Sequence, residues 1–434
     1  MIYNAKLEQM PREELTQLQI ERLQSTLNRV YRNVAFYKDS FDENRIDIST
    51  IRSVEDMRQL PFTTKEDLRK SYPYNMFAVP LRDIVRIHST TGRTGRPIAI
   101  GYTRNDISHW SEMVARVLAG TGVTENDFVQ LAFDYNMFTG GLGLHYGAEK
   151  IGASVIPSSQ SGNVQRQIHI MKDYKTTVLL STPSYALRIA GNLKEMGIHP
   201  DELNLRLGIF GAEPWSESTR TRIEERLHLQ AFNIYGINEM MGPGVSGECS
   251  ERNGLHINED HYIVEIIDPL TWEPLPHGTE GELVITTITR EGFPLIRYRT
   301  GDLSMILDEP CPCGRTTLRM SRVAARSDDM VVINGINVFP AQVGETLKKT
   351  TGYDPRFQII IDEVAGEDVM EIQVEVLEKM FDDEIKKLLA LKGAITTGLE
   401  RELGVTARVT FVEQMTLFRT AEGRGRVRRV IDNR

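Results

Sequence analysis

The sequence predicts an α/β fold with a large N-terminal domain, in which mixed sheets are flanked by helices, and a small C-terminal domain of the α+β class. Strand-like apolar runs alternate with helical segments between residues 128 and 234, as in sheets covered by helices. Residues 262–303 are richer in strand-forming residues and predict a β-rich subdomain. A polar break at 326–330 precedes a further set of strands and helices, so we place the domains at residues 1–327 and 328–434.

The composition argues against a nucleic-acid-binding, a membrane-spanning or a disulfide-rich protein. The 434 residues carry a formal net charge of −9 at pH 7, which argues against general binding to nucleic acid or to an anionic membrane. The sequence shows no leader peptide and no apolar run long enough to span a bilayer. Its three cysteines, an odd number, favour a reducing compartment over a disulfide framework. We therefore expect a cytoplasmic protein.

Periodicity and capping residues predict the elements in order. Apolar residues at helical spacing predict one or two helices over 13–37, Thr63 or Thr64 should cap a helix over 64–71, and Thr103 should cap one that ends near 119. Strands are expected at 128–133, 154–156, 177–180, 205–210, 231–234, 262–267, 281–287 and 295–303, with helices at 164–174, 185–196 and 216–227. The C-terminal domain should contain helices at 341–351 and 382–403 and strands at 357–361, 371–377 and 405–411.

A glycine-rich loop at 89–97 follows an apolar run at 84–87. It contains a serine, three threonines and two arginines around its two glycines. Hydroxyls, guanidinium groups and inward-pointing N–H groups together suit the oxygens of a polyphosphate. The spacing is not that of a Walker A loop. For these residues taken alone, a solvated turn remains the alternative.

Three other loops follow predicted strands, which is where ligands bind in α/β sheets. The first contains aromatic residues and glycines that suit the wall of a pocket for an apolar or aromatic acid, namely Tyr135, Phe138, Gly140 and Gly141. The second is 211–214, and the third, at 235–239, places a glycine beside a flat ring and can admit a nucleobase. At the end of the third loop, the carboxylate of Glu239 can hold Mg²⁺. Ordinary core packing or a solvated loop would explain each feature equally well.

The order of these motifs resembles that of the adenylate-forming enzymes, the acyl-CoA synthetase superfamily. The motifs are STTGRTGRP from Ser89, FGAEP from Phe210, YGINE from Tyr235, YRTGDL from Tyr298, ARSDDM from Ala325 and NGINVFP from Asn334. The sequence is most similar to the phenylacetate–CoA ligase family, over residues 138–157, 235–249 and 334–343. Each motif alone is weakly specific, but the occurrence of all of them in this order over nearly the whole chain is a strong signal.

The resemblance implies an adenylate-forming fold and an ATP-dependent ligase. Such an enzyme joins an aryl or acyl carboxylic acid to coenzyme A through an acyl-adenylate, and it releases AMP and pyrophosphate. Phenylacetate or a similar aromatic acid is the expected substrate, Mg²⁺ the expected ion with ATP, and a homodimer the expected assembly. The C-terminal domain would be a mobile lid that rotates between the half-reactions about a hinge at Asp328.

The resemblance also assigns roles to residues. The phosphates of ATP would be held by Ser89, Thr90, Thr91, Gly92 and Thr94, and Mg²⁺ would be positioned by Thr91 and Glu239. Adenine would lie between residues 211–214 and 235–236. The nucleotide-binding residues on these two loops would be Gly211, Ala212, Glu213, Pro214, Tyr235, Gly236 and Asn238. Asp302 would bond the ribose hydroxyls, and Arg326 would reach the ribose or a phosphate.

One position departs from the family's pattern. The family carries a catalytic lysine near its C-terminus, but the last lysine here is Lys392, and Arg426 or Arg424 takes the expected position. Arginine keeps the charge but is not interchangeable with lysine. The departure leaves open an adenylate-forming enzyme that uses another acceptor, such as a coenzyme or a carrier protein. It also leaves open a catalytically impaired homologue that binds nucleotide or CoA, and a basic tail for an anionic partner.

The three cysteines fall into two clusters, and a histidine follows the first. Cys249 precedes His256, while Cys311 and Cys313 flank a proline. Three thiolates and one imidazole form a complete tetrahedral zinc site with no open position. We therefore predict a structural zinc ion that ties the loop at 242–256 to the β-rich subdomain. Three reduced and mostly buried thiols are the alternative.

Overall fold

The computed structural model describes residues 1–90, 97–135, 137, 139–159, 163–323, 325–327, 331–333, 336–364, 367–376, 385–413, 416–419 and 429–433. The chain divides into two compact units, Met1–Ala324 and Ala325–Arg434. The predicted boundary residue Asp328 lies outside the described residues. No helix among the described residues is long and apolar enough to cross a bilayer.

The first unit contains helices and strands in alternation over most of its length. Its helices are α1 (Ala5–Glu8), α2 (Arg12–Asn33), α3 (Ala35–Glu43), α4 (Lys65–Lys70), α5 (Arg104–Gly120), α6 (Gly140–Ile151), α7 (Val164–Asp173), α8 (Pro183–Glu195) and α9 (Glu217–Leu227). Its strands are β1 (Arg86–Ser89), β2 (Ala99–Tyr102), β3 (Phe128–Leu131), β4 (Ser154–Ile156), β5 (Val178–Ser181), β6 (Leu207–Phe210), β7 (Gln230–Ile237), β8 (Gly242–Glu248), β9 (Leu255–Ile257), β10 (Tyr262–Ile267), β11 (Gly281–Thr287), β12 (Tyr298–Ser304), β13 (Ile306–Leu307) and β14 (Arg319–Met320). Short 3₁₀ turns lie at Ile48–Thr50, Glu55–Gln59, Leu81–Asp83, Pro200–Glu202 and Asn238–Met240.

The second unit is a smaller α+β body. Its elements are β15 (Ala325–Arg326), β16 (Val331–Ile333), β17 (Ile336–Val338), α10 (Pro340–Thr351), β18 (Phe357–Val364), β19 (Glu367–Val376), α11 (Ile385–Leu403), β20 (Ala407–Glu413), α12 (Thr416–Arg419) and β21 (Val430–Asp432). Its four-stranded sheet has the order β20-β19-β18-β21, in which the hairpin β18–β19 is antiparallel and both outer pairs are parallel. Apolar residues of α10 and α11, such as Val343 and Leu399, share one core with Ile359 and Ile372 of the sheet.

A nine-stranded sheet organises the first unit, with the order β13-β14-β9-β8-β7-β6-β5-β3-β4. Strands β4, β3, β5, β6 and β7 are parallel, and from β7 to β13 every pair is antiparallel. We call these the parallel half and the antiparallel half. A separate antiparallel sheet of β10, β11 and β12 forms the predicted β-rich subdomain.

Helices cover both faces of the parallel half, and the strand sequences explain why. Along β5, Val178 and Leu180 belong to the apolar core that contains residues of α5 and α6, while Leu179 belongs to the core of α7, α8 and α9. Strands that are apolar on both faces require cover on both faces. The predicted α/β class with mixed sheets is therefore confirmed.

Most element bounds agree with the prediction to within a few residues. Thr64 and Thr103 both form capping boxes, with Asp67 and Asp106 respectively, which fixes where α4 and α5 begin. The strand predicted at 295–303 is wrong at its start, because β12 begins at Tyr298. Arg297 has a positive φ of 43°, and its guanidinium bonds the carboxylate of Glu265, so the chain turns there before the strand begins.

Candidate active site

Two of the predicted nucleotide loops lie side by side in the parallel half. Strands β6 and β7 pair in parallel, so residues 211–214 follow β6 next to Tyr235 and Gly236 of β7. A Cβ atom on Gly211 would lie 2.5 Å from the carbonyl oxygen of Ile234, and one on Gly236 would lie 2.0 Å from a carbonyl oxygen of β8. Only glycine fits at such distances. Ala212 adds a positive φ of 66°, and the two glycines let neighbouring backbones approach closely where these loops lie.

The side chain of Glu213 anchors its loop to a helix. Its carboxylate accepts a hydrogen bond from the backbone N–H of Ser184 at 2.6 Å, in the first turn of α8. Carboxylates are favoured at helix N-termini, where backbone N–H groups lack partners within the helix. Glu213 therefore holds the loop at 211–214 in place through its side chain.

Tyr235 joins the nine-stranded sheet to the β-rich subdomain. Its hydroxyl donates to the carboxylate of Asp302 in β12 at 2.7 Å, and Asp302 is buried. The two residues come from positions 67 apart in the sequence. The structure thus brings the residue predicted to face adenine into contact with the residue predicted to bond ribose.

Asn238 is held by a buried residue that the motifs did not single out. The hydroxyl of Thr139, which is fully buried, donates to the side-chain oxygen of Asn238 at 2.6 Å. A Cβ atom on Gly242 would lie 2.4 Å from the same hydroxyl oxygen, so the three residues are tightly packed. In the sequence, Thr139 is distinguished only by its place before the glycines that begin α6.

The backbone around Glu239 is clamped from two sides. The guanidinium of Arg290 donates to the carbonyl oxygen of Glu239, and the hydroxyl of Tyr262 donates to that of Met240 at 2.9 Å. The next residue, Met241, has a positive φ of 71°. Glu239 is 7% exposed, and its carboxylate makes no ion pair with any described residue. A fixed carboxylate of this kind suits a divalent cation.

Ser89 and Thr90 lie at the start of the glycine-rich loop. The backbone N–H of Ser89 donates to the carbonyl of Met137 at 3.1 Å, which joins this loop to the one after β3. Thr90 closes the base of the loop, because Ile98 donates to its hydroxyl at 3.0 Å while its own N–H donates to the carbonyl of Ile98 at 3.1 Å. Several predicted site residues lie outside the described residues, namely Thr91, Gly92, Thr94, Phe138, Asp328, Arg424 and Arg426.

The glycines of α6 serve close packing. A Cβ atom on Gly141 would lie 2.6 Å from the carbonyl oxygen of Asp134, and one on Gly143 would lie 2.2 Å from the ring of Trp110. The helix therefore lies against the loop after β3 and against α5 at distances that only glycine permits. Gly140 is buried at the start of the same helix. Their part in a substrate pocket stays a prediction.

Tyr135 belongs to a chain of three polar side chains. Its hydroxyl lies 3.0 Å from Nδ1 of His145, and Nε2 of that ring lies 3.0 Å from the carboxylate of Glu149. Burial, together with the nearby charge of Glu149, raises the pKa of Tyr135 above its ordinary value. Sequence analysis named Tyr135 but missed its two partners, although the His-x-x-x-Glu spacing in a predicted helix could have shown that they share one face.

The three cysteines and His256 converge in the antiparallel half. Cys249 follows β8, His256 lies in β9, and the segment 311–313 lies between β13 and β14; β9 pairs with both β8 and β14. The four potential ligand atoms all lie within 4.8 Å of one another. Sγ of Cys249 lies 3.7 Å from Sγ of Cys311, and Sγ of Cys313 lies 3.3 Å from Nε2 of His256.

The distance between the sulfurs of Cys249 and Cys311 is close to that expected for two thiolate ligands of one metal ion. With Zn–S bonds of about 2.3 Å, neighbouring sulfurs of a tetrahedral site lie about 3.8 Å apart. The other nitrogen of His256 lies 3.1 Å from the hydroxyl of Thr317, and this hydrogen bond orients the imidazole ring with Nε2 towards the cysteines.

The surroundings of the cluster favour metal binding. Burial raises the pKa of Cys249 to about 12, so this thiol ionises in place only if a cation compensates the charge. Burial also lowers the pKa of His256 to about 3, which keeps its imidazole neutral and able to coordinate. Arg315 donates to Sγ of Cys313 at 3.6 Å and is itself paired, through Nε, with the carboxylate of Glu8 at 2.6 Å.

Arg326 lies in β15 and belongs to the second compact unit. The residues predicted to contact adenine and ribose belong to the first unit. The contact predicted between Arg326 and the ribose or a phosphate therefore stays a prediction.

Comparison with known proteins gives two matching family models. Residues 13–289 match the model described as AMP-binding enzyme. Residues 335–434 match the model described as AMP-binding enzyme C-terminal domain. The first match covers the loops of the parallel half described above, and the second covers most of the second unit.

Full-length relatives carry more specific names. The chain is 43% identical to the phenylacetate-coenzyme A ligase of Thermus thermophilus over 447 aligned residues, which cover 100% of both chains. It is also 43% identical to the phenylacetate-coenzyme A ligase of Escherichia coli over 383 residues, 87% of each chain. Among solved structures, 2-hydroxyisobutyryl-CoA ligase in its postadenylation state with 2-HIB-AMP gives a TM-score of 0.86 at 28% identity, over 100% of this chain and 92% of that chain.

Proposed function

Because the chain belongs to the AMP-binding enzyme family, and within it to the phenylacetate–CoA ligases, we propose that it is an ATP-dependent ligase that joins a carboxylic acid to coenzyme A. The reaction proceeds through an acyl-adenylate and releases AMP and pyrophosphate. The observation that carries this proposal is the 43% identity to a phenylacetate-coenzyme A ligase over 100% of both chains. Phenylacetate or a similar aromatic acid is the proposed substrate, and a homodimer the proposed assembly.

The chemistry explains why two half-reactions are needed. A free carboxylate resists attack by a thiol, because the leaving group would be oxide. In the first half-reaction a carboxylate oxygen attacks the α-phosphorus of ATP and pyrophosphate leaves. In the second, the thiolate of coenzyme A attacks the acyl carbon and AMP leaves with the former carboxylate oxygen. The protein's contribution is to orient the reactants and to stabilise charge on the phosphates.

Residues of the parallel half and of the segments beside it would supply this orientation. Adenine would lie between 211–214 and 235–236, and Asp302, oriented by the hydroxyl of Tyr235, would accept hydrogen bonds from ribose. Asn238 would contact the nucleotide from its fixed position beside Thr139. Glu239 would hold Mg²⁺, and a bound Mg²⁺ neutralises charge on the polyphosphate. Ser89 and Thr90, together with Thr91 further along the loop, would bind the phosphates.

The alternatives left open by the C-terminal arginines are not favoured. The match to the C-terminal domain model runs over 335–434 and so includes the segment of Arg424 and Arg426. One of these arginines would bind the acyl carboxylate and the α-phosphate in the first half-reaction. Arg424→Ala or Arg426→Ala should then slow adenylation but spare thioester formation from a supplied acyl-adenylate. If neither variant changes the first step, the segment has no catalytic role.

A structural zinc ion is the second part of the proposal. Cys249, His256, Cys311 and Cys313 provide three sulfurs and one nitrogen within 4.8 Å of one another, which is the ligand set of a structural zinc site. The ion would tie the loop after β8 to the turn between β13 and β14. Elemental analysis of protein purified without added metal should give about one zinc per chain. A value near zero, with thermal stability unchanged by a chelator, contradicts this part alone.

One panel of assays tests the reaction. Pyrophosphate release is measured with ATP, Mg²⁺ and a series of acids that includes phenylacetate, with and without coenzyme A, and thioester is measured in parallel. We expect release that depends on an aromatic acid and thioester only when coenzyme A is present. Release without thioester would contradict coenzyme A as the acceptor. Tight nucleotide binding with no release for any acid would contradict the reaction itself.

A further inference from the structure

Tyr135, His145 and Glu149 form a hydrogen-bonded line that begins at the edge of the parallel half. Tyr135 follows β3, and the other two residues share one face of α6 because they are four positions apart. The distances along the line are 3.0 Å from the Tyr135 hydroxyl to Nδ1 and 3.0 Å from Nε2 to the Glu149 carboxylate. We call this line the tyrosine relay.

The chemistry of the three groups sets the direction of both hydrogen bonds. A carboxylate only accepts, so Nε2 of His145 carries the proton that points to Glu149. The other ring nitrogen, Nδ1, is then an acceptor in the neutral ring, and the hydroxyl of Tyr135 must donate to it. The hydroxyl proton of Tyr135 is therefore committed to His145.

Neighbouring groups restrict the relay to one arrangement. The guanidinium of Arg86 donates to the hydroxyl of Tyr146 at 2.8 Å and lies over its ring, 5.0 Å from the centroid. The ring of Tyr146 meets that of His145 edge to face at a centroid distance of 5.7 Å. Gly143 on α6 lies against Trp110 at a distance that leaves no space for a side chain. Neither the helix nor the imidazole can shift without displacing these contacts.

We propose that His145 is a positioning residue for the acid substrate, acting through Tyr135. It fixes the phenol ring in one orientation and engages its only proton, so that the ring presents an apolar surface to the acid. A fixed aromatic surface favours another aromatic ring by offset or edge-to-face stacking. The expected consequence is a preference for an aromatic acid over a straight-chain acid. The inference rests on the proposed ligase function and on Tyr135 lining the acyl pocket.

Two conservative replacements of His145 separate its hydrogen bond from its bulk. In His145→Asn the side-chain oxygen takes the place of Nδ1 and can still accept from Tyr135. In His145→Gln the longer side chain places its polar atoms near the position of Nε2, so the bond to Tyr135 is lost. Tyr135→Phe removes the same bond from the other side. His169→Gln, at an exposed position of α7, is the matched control.

The readout is the KM for phenylacetate compared with the KM for hexanoate and for ATP, in the full-length protein. His145→Gln and Tyr135→Phe should each raise the phenylacetate KM about three- to ten-fold, as expected for one hydrogen bond, and change the other two KM values less than two-fold. The double variant should resemble either single variant, because both remove one interaction. His145→Asn and His169→Gln should stay within two-fold of the wild type.

Three results would overturn the inference. An unchanged phenylacetate KM in both His145→Gln and Tyr135→Phe means that the relay does not position the acid. An equal rise for phenylacetate and hexanoate, or a fall in kcat alone, means that the relay supports only the fold. A defect of His145→Asn equal to that of His145→Gln means that the hydrogen bond is not the cause. If the wild-type protein turns over no acid at all, the proposed function fails first, and this inference falls with it.

Discussion

The two halves of the nine-stranded sheet are built for opposite purposes. In the parallel half, side-chain hydrogen bonds such as those of Glu213 and Thr139 hold the loops at the carboxyl ends of β6 and β7, and glycines let neighbouring segments pack closely there. In the antiparallel half, three sulfurs and one imidazole nitrogen lie within 4.8 Å of one another, where we propose a zinc ion. One half is suited to exchanging ligands and the other to holding the chain together. Changes in the first should therefore alter turnover, and changes in the second should alter stability.

The largest expected effect is on stability and follows the loss of a zinc ligand. Cys311→Ser should reduce the zinc content from about one per chain to near zero. At a free zinc concentration about 1,000 times the dissociation constant of the wild type, the bound ion stabilises the fold by about 4 kcal/mol. Loss of the ion should lower the free energy of unfolding by that amount. Denaturant unfolding checks this, with the exposed His199→Gln as control. An unchanged denaturation midpoint would contradict a structural role for the antiparallel half. A raised KM for ATP in the variant protein that stays folded would contradict its separation from the nucleotide site.

The next effect is on turnover. Glu239→Gln keeps the shape of the side chain but removes the charge proposed for Mg²⁺, so the rate of pyrophosphate release should fall about 10²–10³-fold, as when one preorganised stabilising group is removed. The free energy of unfolding should stay within about 0.5 kcal/mol of the wild type. Glu225→Gln, at an exposed position of α9, serves as the control. A loss of stability without a loss of rate would show that Glu239 belongs with the structural residues.

The decrease of the free energy of unfolding at acid pH should arise from a buried histidine beside the antiparallel half. Burial lowers the pKa of His261 to about 3, despite the opposing charge of Asp260; its ring also contacts His109, and Arg116 lies nearby. The folded-state pKa lies below the unfolded value of about 6.5, so the unfolded chain binds the extra proton between these values. The stability is thus complete above pH 6.5 and falls as the pH drops towards 3, by about 1.4 kcal/mol per pH unit for this one group.

His261→Gln should remove that slope. The measurement is the free energy of unfolding at intervals between pH 6 and pH 4, a window above the range in which Asp260 titrates, since the pKa of that carboxyl is lowered to about 2. Wild type and variant should converge in stability as the pH falls. Parallel curves for the two proteins would mean that the buried imidazole does not set the acid limit.

The smallest effect should be on nucleotide affinity. Tyr235→Phe removes the hydrogen bond to Asp302 but keeps the ring beside the adenine edge. The KM for ATP should rise about three- to ten-fold, with kcat and stability nearly unchanged. Tyr174→Phe, at an exposed position after α7, is the control. A change in kcat larger than the change in KM would show that Tyr235 acts in the chemical step.

The sequence predicted the parallel half well, because its information is local. Strands such as β5 are buried at every position and apolar at all but the last, and the loops after them carry glycines whose need is set by the adjacent strand. Both features can be recognised within a few residues. The start of β12 was wrong because it depends on Arg297, whose partner Glu265 lies 32 positions away in another strand.

The features that the sequence did not predict depend on contacts between segments that are far apart in the chain. Thr139 and Asn238 are 99 positions apart, and their hydrogen bond exists only because α6 packs beside the end of β7. The cysteine clusters could be predicted as ligands from residue type alone. Their meeting depends on the register of β9 with β14, which pairs His256 with Arg319. Residue type therefore predicts the chemistry of the proposed metal centre, and strand register determines its geometry.

The ion pair between Glu8 and Arg315 also bears on the order of events during protein synthesis. The two residues are 307 positions apart, and both are buried when paired. At about 5–20 residues per second, the ribosome needs between about 15 and 60 s to make Arg315 after Glu8. Throughout that time Glu8 lacks its buried partner, so the docking of α1 is completed only late in synthesis. A nascent chain arrested before residue 315 should therefore expose α1 to protease, and one arrested well beyond it should not.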